Sequence, residues 1–208
     1  MSKTHNNVIM FQNDLPDNFE IPGDLAIDTE TMGLNLQRDH LCLLQLSNGD
    51  GSAYLIQFIN KNYAAPNLKK LLADESRCKI FHFARFDLAA IKHYLQTDLT
   101  NIFCTKIASR LIRTYTDAHS LKELCRELLS IQISKQQQSS YWGNDELTNE
   151  QKDYAAKDVL YLHKIRTTLQ NMLIKADRLE LANKIFAFLP TRVQLDLMGW
   201  SETDIFLH

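Results

Sequence analysis

Three places in the 208-residue chain carry acidic or phenolic side chains where apolar ones are expected. Asp28 and Glu30 follow Leu25-Ala26-Ile27, a run that reads as a buried strand. Alternate residues of a strand share a face, so both carboxylates project from the side that carries Ala26. Burying unpaired carboxylates is very costly, and two side by side repel, so a cation is expected between them. A strand end open to water, with both acids hydrated, is the other reading. Asp87 falls on the stripe Ala84, Asp87, Ile91, Tyr94, the buried or partly buried side of a helix. A carboxylate favoured by the dipole at a helix start is the plainer account of it. Tyr154 and Asp158, one helical turn apart, head the stripe Leu162, Ile165, Leu169. A tyrosine at the core edge beside an exposed aspartate would give the same pattern.

Taken together, four acids on core-facing sides of three elements suit hard divalent cations such as Mg²⁺, which take oxygen ligands and bind through few carboxylates plus substrate phosphate. Two such ions ~3.5–4 Å apart can activate a water and stabilise the leaving oxygen in phosphodiester cleavage. His82, His93, His119 and His163 fall into no H-x-x-x-H or H-E-x-x-H pattern, so no zinc-type ligand set competes.

These residues need elements to hold them. Residues 25–28, 41–46, 53–58 and 79–83 read as strands, and Asn48-Gly49-Asp50-Gly51 is a hairpin signal between the middle two. Pro66 opens a short helix to 72, and residues 84–95 have helical spacing. Phe103, Ile107 and Leu111 fall at i, i+4, i+8, and residues 121–129 form an amphipathic helix with Ser120 as its N-cap. Thr148-Asn149-Glu150-Gln151 fits a capping box that starts a helix reaching about 173. A last helix, 176–189, is stopped by Pro190. Strands first and helices after predict an α/β sheet covered by helices, with a helical C-terminal half.

The 23 basic and 25 acidic side chains leave a net charge of −2, which excludes coating of nucleic acid by bulk charge. Positive charge is local. Residues 101–135 hold Lys106, Arg110, Arg113, Lys122, Arg126 and Lys135 against Asp117, Glu123 and Glu127. Lys106, Arg110 and Arg113 are spaced 4 and 3, a face that could track a phosphate backbone or simply be solvated. Cys42, Cys78, Cys104 and Cys125 form no C-x-x-C pair and read as buried free thiols. No apolar run approaches the ~18 residues of a membrane span. Residues 8–11 are too few for a signal peptide, so a cytoplasmic protein of one domain is expected, with no membrane association. The apolar tail, residues 190–208, either docks on the domain or makes a dimer. Monomer and homodimer both stay open.

The acidic positions lie in stretches that resemble a known family. Residues 26–34 (AIDTETMGL) look like the first exonuclease motif of the DEDD superfamily, residues 82–88 (HFARFDL) like the second, and residues 154–162 (YAAKDVLYL) like the third in its tyrosine form, Y-x-x-x-D. Supporting stretches are residues 120–124 (SLKEL) and the segment from Lys135 through Trp142 to the helix start near Leu147. The combination resembles bacterial ribonuclease D over residues 24–170. A histidine subclass would carry His where this chain has Asp153, so the tyrosine subclass is favoured. Tyr141, beside Trp142, departs from the Asp often found there.

The resemblance implies a ribonuclease H-like fold, a mixed five-stranded sheet with helices on both faces. It implies two divalent ions, Mg²⁺ or Mn²⁺, and 3′→5′ hydrolysis of single-stranded RNA releasing nucleoside 5′-monophosphates. Asp28, Glu30 and Asp158 would hold one metal, Asp28 would bridge to the second, and Asp87 would support that one. Tyr154 would orient the attacking water. Thr29, Met32, Leu34, His82, Phe83, Lys135 and Gln138 are the candidate substrate contacts, with Leu34 packing against the terminal base or simply against its own neighbours, and His82 reaching a sugar or phosphate or sitting as a satisfied core histidine. The 50 residues after Asp158 leave no room for the added helical domains of longer ribonuclease D proteins, so residues 171–208 are expected to be only a helix and tail. A DNA-directed proofreading or repair exonuclease is the alternative. A non-catalytic binding module would have lost an acid, and none of the four is missing.

Overall fold

The computed structural model describes residues 7–134 and 136–208. One mixed sheet of six strands runs in the order β1-β4-β3-β2-β5-β6. At its centre β2 (Leu25–Thr31), β3 (Leu41–Ser47) and β4 (Ser52–Gln57) form an antiparallel meander. The expected hairpin joins β3 to β4, and Gly49 and Gly51 supply its positive φ values of 84° and 99°. β5 (Lys79–Phe81) pairs parallel to β2, and β6 (Ile102–Cys104) parallel to β5. β1 (Asn7–Gln12) adds to β4 in parallel at the other edge.

The sheet therefore has six strands rather than five. Val8 to Phe11 are all half-buried on an edge strand, so β1 lacks the clean alternation that marks a strand in sequence. β6 is too short to show a period, and Phe103 belongs to it rather than to the following helix.

The α-helices among the described residues are α1 (Pro66–Leu72), α2 (Ala84–Ala90), α3 (Thr105–Ile112), α4 (Leu121–Leu129), α5 (Asn149–Leu160), α6 (Leu162–Lys175) and α7 (Leu179–Leu195). The helix predicted over 84–95 changes to a π-helical turn at Ile91–Leu95. The long helix predicted from the capping box breaks at Tyr161 (φ −101°, ψ −8°). The break lets α5 lie across β2, β3 and β4 while α6 packs on α3, α4 and β5. Pro190 does not stop the last helix, which runs on to Leu195. The missing N–H costs one hydrogen bond, but buried Phe186, Leu189 and Val193 hold both sides of it in the core, so packing outweighs propensity.

On one face of the sheet Leu43 and Leu55 pack with Trp142, Leu147 and Ala155 of α5. Leu44, Leu46 and Ile56 join the larger core with Leu68 and Leu72 of α1 and Leu88 of α2. The four cysteines are buried and unbridged. Among the described residues no helix is long and apolar enough to cross a membrane. The C-terminal segment docks on α2. Arg85 of α2 donates to both oxygens of Asp196, at 2.6 and 2.8 Å, and to the Ser201 carbonyl.

Candidate active site

The C-terminal half of β2 presents Asp28 and Glu30 toward α5, which presents Tyr154 and Asp158. One carboxylate oxygen from each of Asp28, Glu30 and Asp158 lies within 4.8 Å of the other two. Asp87 comes from the first turn of α2 and is buried. Thr29 lies between the two strand acids, and its hydroxyl donates to Asp87 Oδ1 at 2.7 Å, tying α2 to β2. The Tyr154 hydroxyl donates to Asp158.

Local sequence explains why these elements sit where they do. The capping box forms as expected, Thr148 N–H donating to Gln151 Oε1 at 2.9 Å and Gln151 N–H to Thr148 Oγ1 at 3.2 Å. The same Gln151 amide donates to Ser140 Oγ and the Tyr141 carbonyl, at 2.6 and 3.0 Å. The start of α5 is thereby bound to the loop that seats Trp142, whose ring centre is 6.1 Å from that of Tyr154. At the end of β2 the pairing with β3 shifts register between Glu30 and Thr31, so the chain leaves the sheet just past the acids. Gly33 follows. A Cβ there would sit 2.4 Å from Asp39 Oδ2, so any side chain would have to displace the Asp39 carboxylate from the 33–39 loop. That loop holds Leu34 at the lip, 86% exposed.

The electrostatics are those of clustered, partly desolvated acids. Burial, and then the neighbouring acids Asp87, Asp158 and Glu30, push the Asp28 carboxyl well above the usual range. Burial, with Asp158 and Asp87, does the same to Glu30. Asp87 is pushed up to about 7 by burial, against the opposing hydrogen bond from Thr29. Asp158 is likewise pushed up to about 7 by burial, against the bond from Tyr154. Burial and the adjacent carboxylates raise the Tyr154 phenol, so its proton stays on.

A cleft of about 670 Å³ opens over the acids. Of the substrate contacts expected from sequence, Thr29, Met32, Leu34, His82, Phe83 and Gln138 line it. Lys135 lies outside the described residues. Thr29 lines the cleft with its hydroxyl already committed to Asp87. Thr105 Oγ1 donates to the Phe81 carbonyl at 3.0 Å, so His82 Nδ1, 2.9 Å from that oxygen, is the donor in their contact. Phe83 takes the left-handed backbone region (φ 71°, ψ 45°) at the turn from β5 into α2. That conformation is costly for an aromatic residue and puts its ring, 44% exposed, at the cleft.

Lys106 belongs to the site although sequence reasoning placed it only on a basic stripe. Its Nζ lies 4.3 Å over the Phe83 ring and lines the cleft. The excess of positive charge over residues 101–135 was its signal. The stripe itself does not form. α3 ends at Ile112, and the changed backbone at Arg113 (φ −99°, ψ 59°) turns that side chain into the core, where it is fully buried.

A family model described as 3′-5′ exonuclease matches residues 3–174. The chain belongs to the 3′-5′ exonuclease family. Two solved structures of NrnC from Brucella melitensis superpose over 97% of this chain: one bound to pGG (TM-score 0.92, 53% identity, 98% of that chain) and one with bound Mg²⁺ (TM-score 0.91, 52%, 99%). Ribonuclease D from Granulibacter bethesdensis is 30% identical over 79% of this chain. This chain spans about two-fifths of that relative's length, 41%. The structure of Escherichia coli RNase D, at 24% identity and a TM-score of 0.72 over 82% of this chain and 45% of that one, shares the fold. The ribonuclease H-like α/β core expected from sequence is thus present, with six strands.

The donor set fits the divalent ions implied by this family. Three carboxylates converge, none of them in an ion pair with a lysine or arginine among the described residues, and all the donors are hard oxygens.

Proposed function

We propose that this protein is a metal-dependent 3′-5′ exoribonuclease that removes nucleoside 5′-monophosphates from the 3′ end of single-stranded RNA. The observation that carries this reading is the convergence of Asp28, Glu30 and Asp158 within 4.8 Å at the floor of the cleft. The likeness to NrnC, solved bound to pGG, over nearly the whole of this chain adds pGG itself as a candidate substrate.

Asp28, Glu30 and Asp158 would hold one Mg²⁺ or Mn²⁺. Asp28 would also reach a second, supported by Asp87. When bound, the ions polarise the phosphodiester and make the attacking water more acidic. Thr29 fixes Asp87 through its 2.7 Å hydrogen bond, so that carboxylate needs no reorganisation when it is charged. Tyr154 keeps its proton, so it orients the water rather than deprotonating it. Leu34 and Phe83 stand at the cleft edge, where apolar surface can bracket the terminal base. Water attacks the last phosphorus, the P–O3′ bond breaks, the 5′-monophosphate leaves, and the shortened strand keeps a 3′-hydroxyl. We read residues 1–208 as a single catalytic domain working on this cleft.

The test is a time course on 5′-labelled strands from pGG to 20-mers, RNA and DNA, ending in 3′-hydroxyl or 3′-phosphate, with Mg²⁺, Mn²⁺ or chelator. Metal-dependent shortening of RNA from the free 3′-hydroxyl is expected. Faster shortening of DNA would transfer the reading to a proofreading or repair exonuclease. No shortening by folded protein with either metal would overturn it.

A further inference from the structure

Gln45 lies at the middle of β3, directly across the ladder from Asp28 on β2 and from Leu55 on β4. Residues directly opposed in an antiparallel pair share a face, with their Cβ atoms about 5 Å apart. The Gln45 side chain is therefore on the α5 face of the sheet, beside Asp28. It is fully buried, and neither its Oε1 nor its Nε2 has a hydrogen-bond partner. A buried amide with both ends unsatisfied is rare and costly.

The other buried glutamines on this side show what the fold does with such a group when it is only structural. Gln57, on the same face one strand away, donates to the carbonyls of Asn144 and Asp145 at 2.7 and 3.3 Å. Gln151 uses its oxygen on Thr148 N–H and its nitrogen on Ser140 and Tyr141. Only the glutamine facing Asp28 is left unpaired among these three.

We propose that Gln45 is a positioning residue for Asp28, its Nε2–H donating to the Asp28 carboxylate when that group takes up its role at the metal site. The inference rests on the exonuclease reading above. An amide donor suits the place: it is neutral, so it adds no charge beside four acids, and it cannot compete as a strong metal ligand. It fixes which carboxylate oxygen faces the ion. Groups that hydrogen-bond to metal-bound carboxylates orient them, and losing one typically weakens metal binding about 10–100-fold. Leucine or methionine at this position would fill the core without the unpaired amide, so stability alone gives no reason for glutamine.

The experiment titrates Mn²⁺ into metal-free full-length wild type, Gln45→Met and Gln45→Leu by calorimetry, with melting curves of each metal-free protein. Both variants are expected to bind Mn²⁺ about 10–100-fold more weakly while melting no lower than wild type. Their kcat at limiting Mn²⁺ should fall by the same factor and recover at saturating Mn²⁺, with KM for RNA unchanged. Variant isotherms that match a wild type that does bind Mn²⁺ would overturn this proposal alone. So would variants that both melt well below wild type or fail to fold, since the amide would then be a structural need. A wild type that binds no Mn²⁺ would overturn the exonuclease reading and this proposal with it.

Discussion

At the junction of α3 and α4, Arg113 is fully buried, and both terminal nitrogens of its guanidinium meet acceptors while its Nε meets none. Its guanidinium donates to Glu127, to Ser109 Oγ at 3.0 Å and to the Ala118 carbonyl at 2.8 Å. At the end of β2 four carboxylates gather at the floor of the cleft, Asp87 buried and Asp28, Glu30 and Asp158 half-buried, and each lies close to others of the four. In the first region a cation is matched by its own chain. In the second the chain gathers like charges whose pKa values rise through burial first and mutual repulsion second. An outside cation would relieve the second arrangement, whereas the structural ion pair is complete within the chain.

The comparison makes its largest demand on Asp28. Asp28→Asn should cut RNA hydrolysis more than about 100-fold, the upper range seen even for groups one hydrogen bond behind a metal. The same change should raise the melting temperature of the metal-free protein, because it removes one of the crowded acids. A lower melting temperature would mean the acids are not destabilising at all.

A pH series on metal-free protein is the next test. Asp87 and Asp158 titrate near 7 in the fold against 3.8 for a free aspartate. The folded state therefore holds more protons between those values, and stability is greatest below about pH 4. It should fall as pH rises through 7, at a slope on the order of 1 kcal/mol per pH unit. Millimolar Mg²⁺ at pH 8 should restore it, which urea unfolding with and without chelator can read.

Glu127→Gln acts in the opposite region and should show the opposite pattern. It leaves buried Arg113 with a weaker acceptor and should cost about 1–3 kcal/mol in urea unfolding, discounted because Glu127 is 31% exposed. RNA hydrolysis below the melting transition should not change. The smallest effect is expected at the cleft lip. Leu34 is 86% exposed, so Leu34→Ala should leave stability alone and raise KM for RNA about fivefold, from ~1 kcal/mol of lost base contact.

Much of the site was legible in the chain. Asp28 and Glu30 two apart on a strand, and Tyr154 and Asp158 four apart on a helix, each share a face by local geometry alone. The Ser120 cap, the Thr148 box and the 48–51 hairpin also formed where short-range chemistry placed them. What was not legible depended on distant neighbours. β1 and β6 are strands because of the partners they pair with, since neither carries a clean period of its own. Pro190 stays helical because of the core on both sides of it. Arg113 looked like part of a basic face because Arg110 precedes it by three. One residue of changed backbone sent it inward.

By itself, then, the order of residues determined which groups exist, which of them share an element's face, and where most elements start. Those properties follow from backbone periods and capping bonds that span only a few residues. Tertiary structure alone decided that positions 28, 30, 87 and 158 meet, that two of these acids titrate near 7, that one arginine is paired and buried, and that Gln45 faces Asp28 with nothing bound to its amide. Burial, field and hydrogen-bond satisfaction are sums over neighbours brought together from far along the chain, and no local pattern contains them.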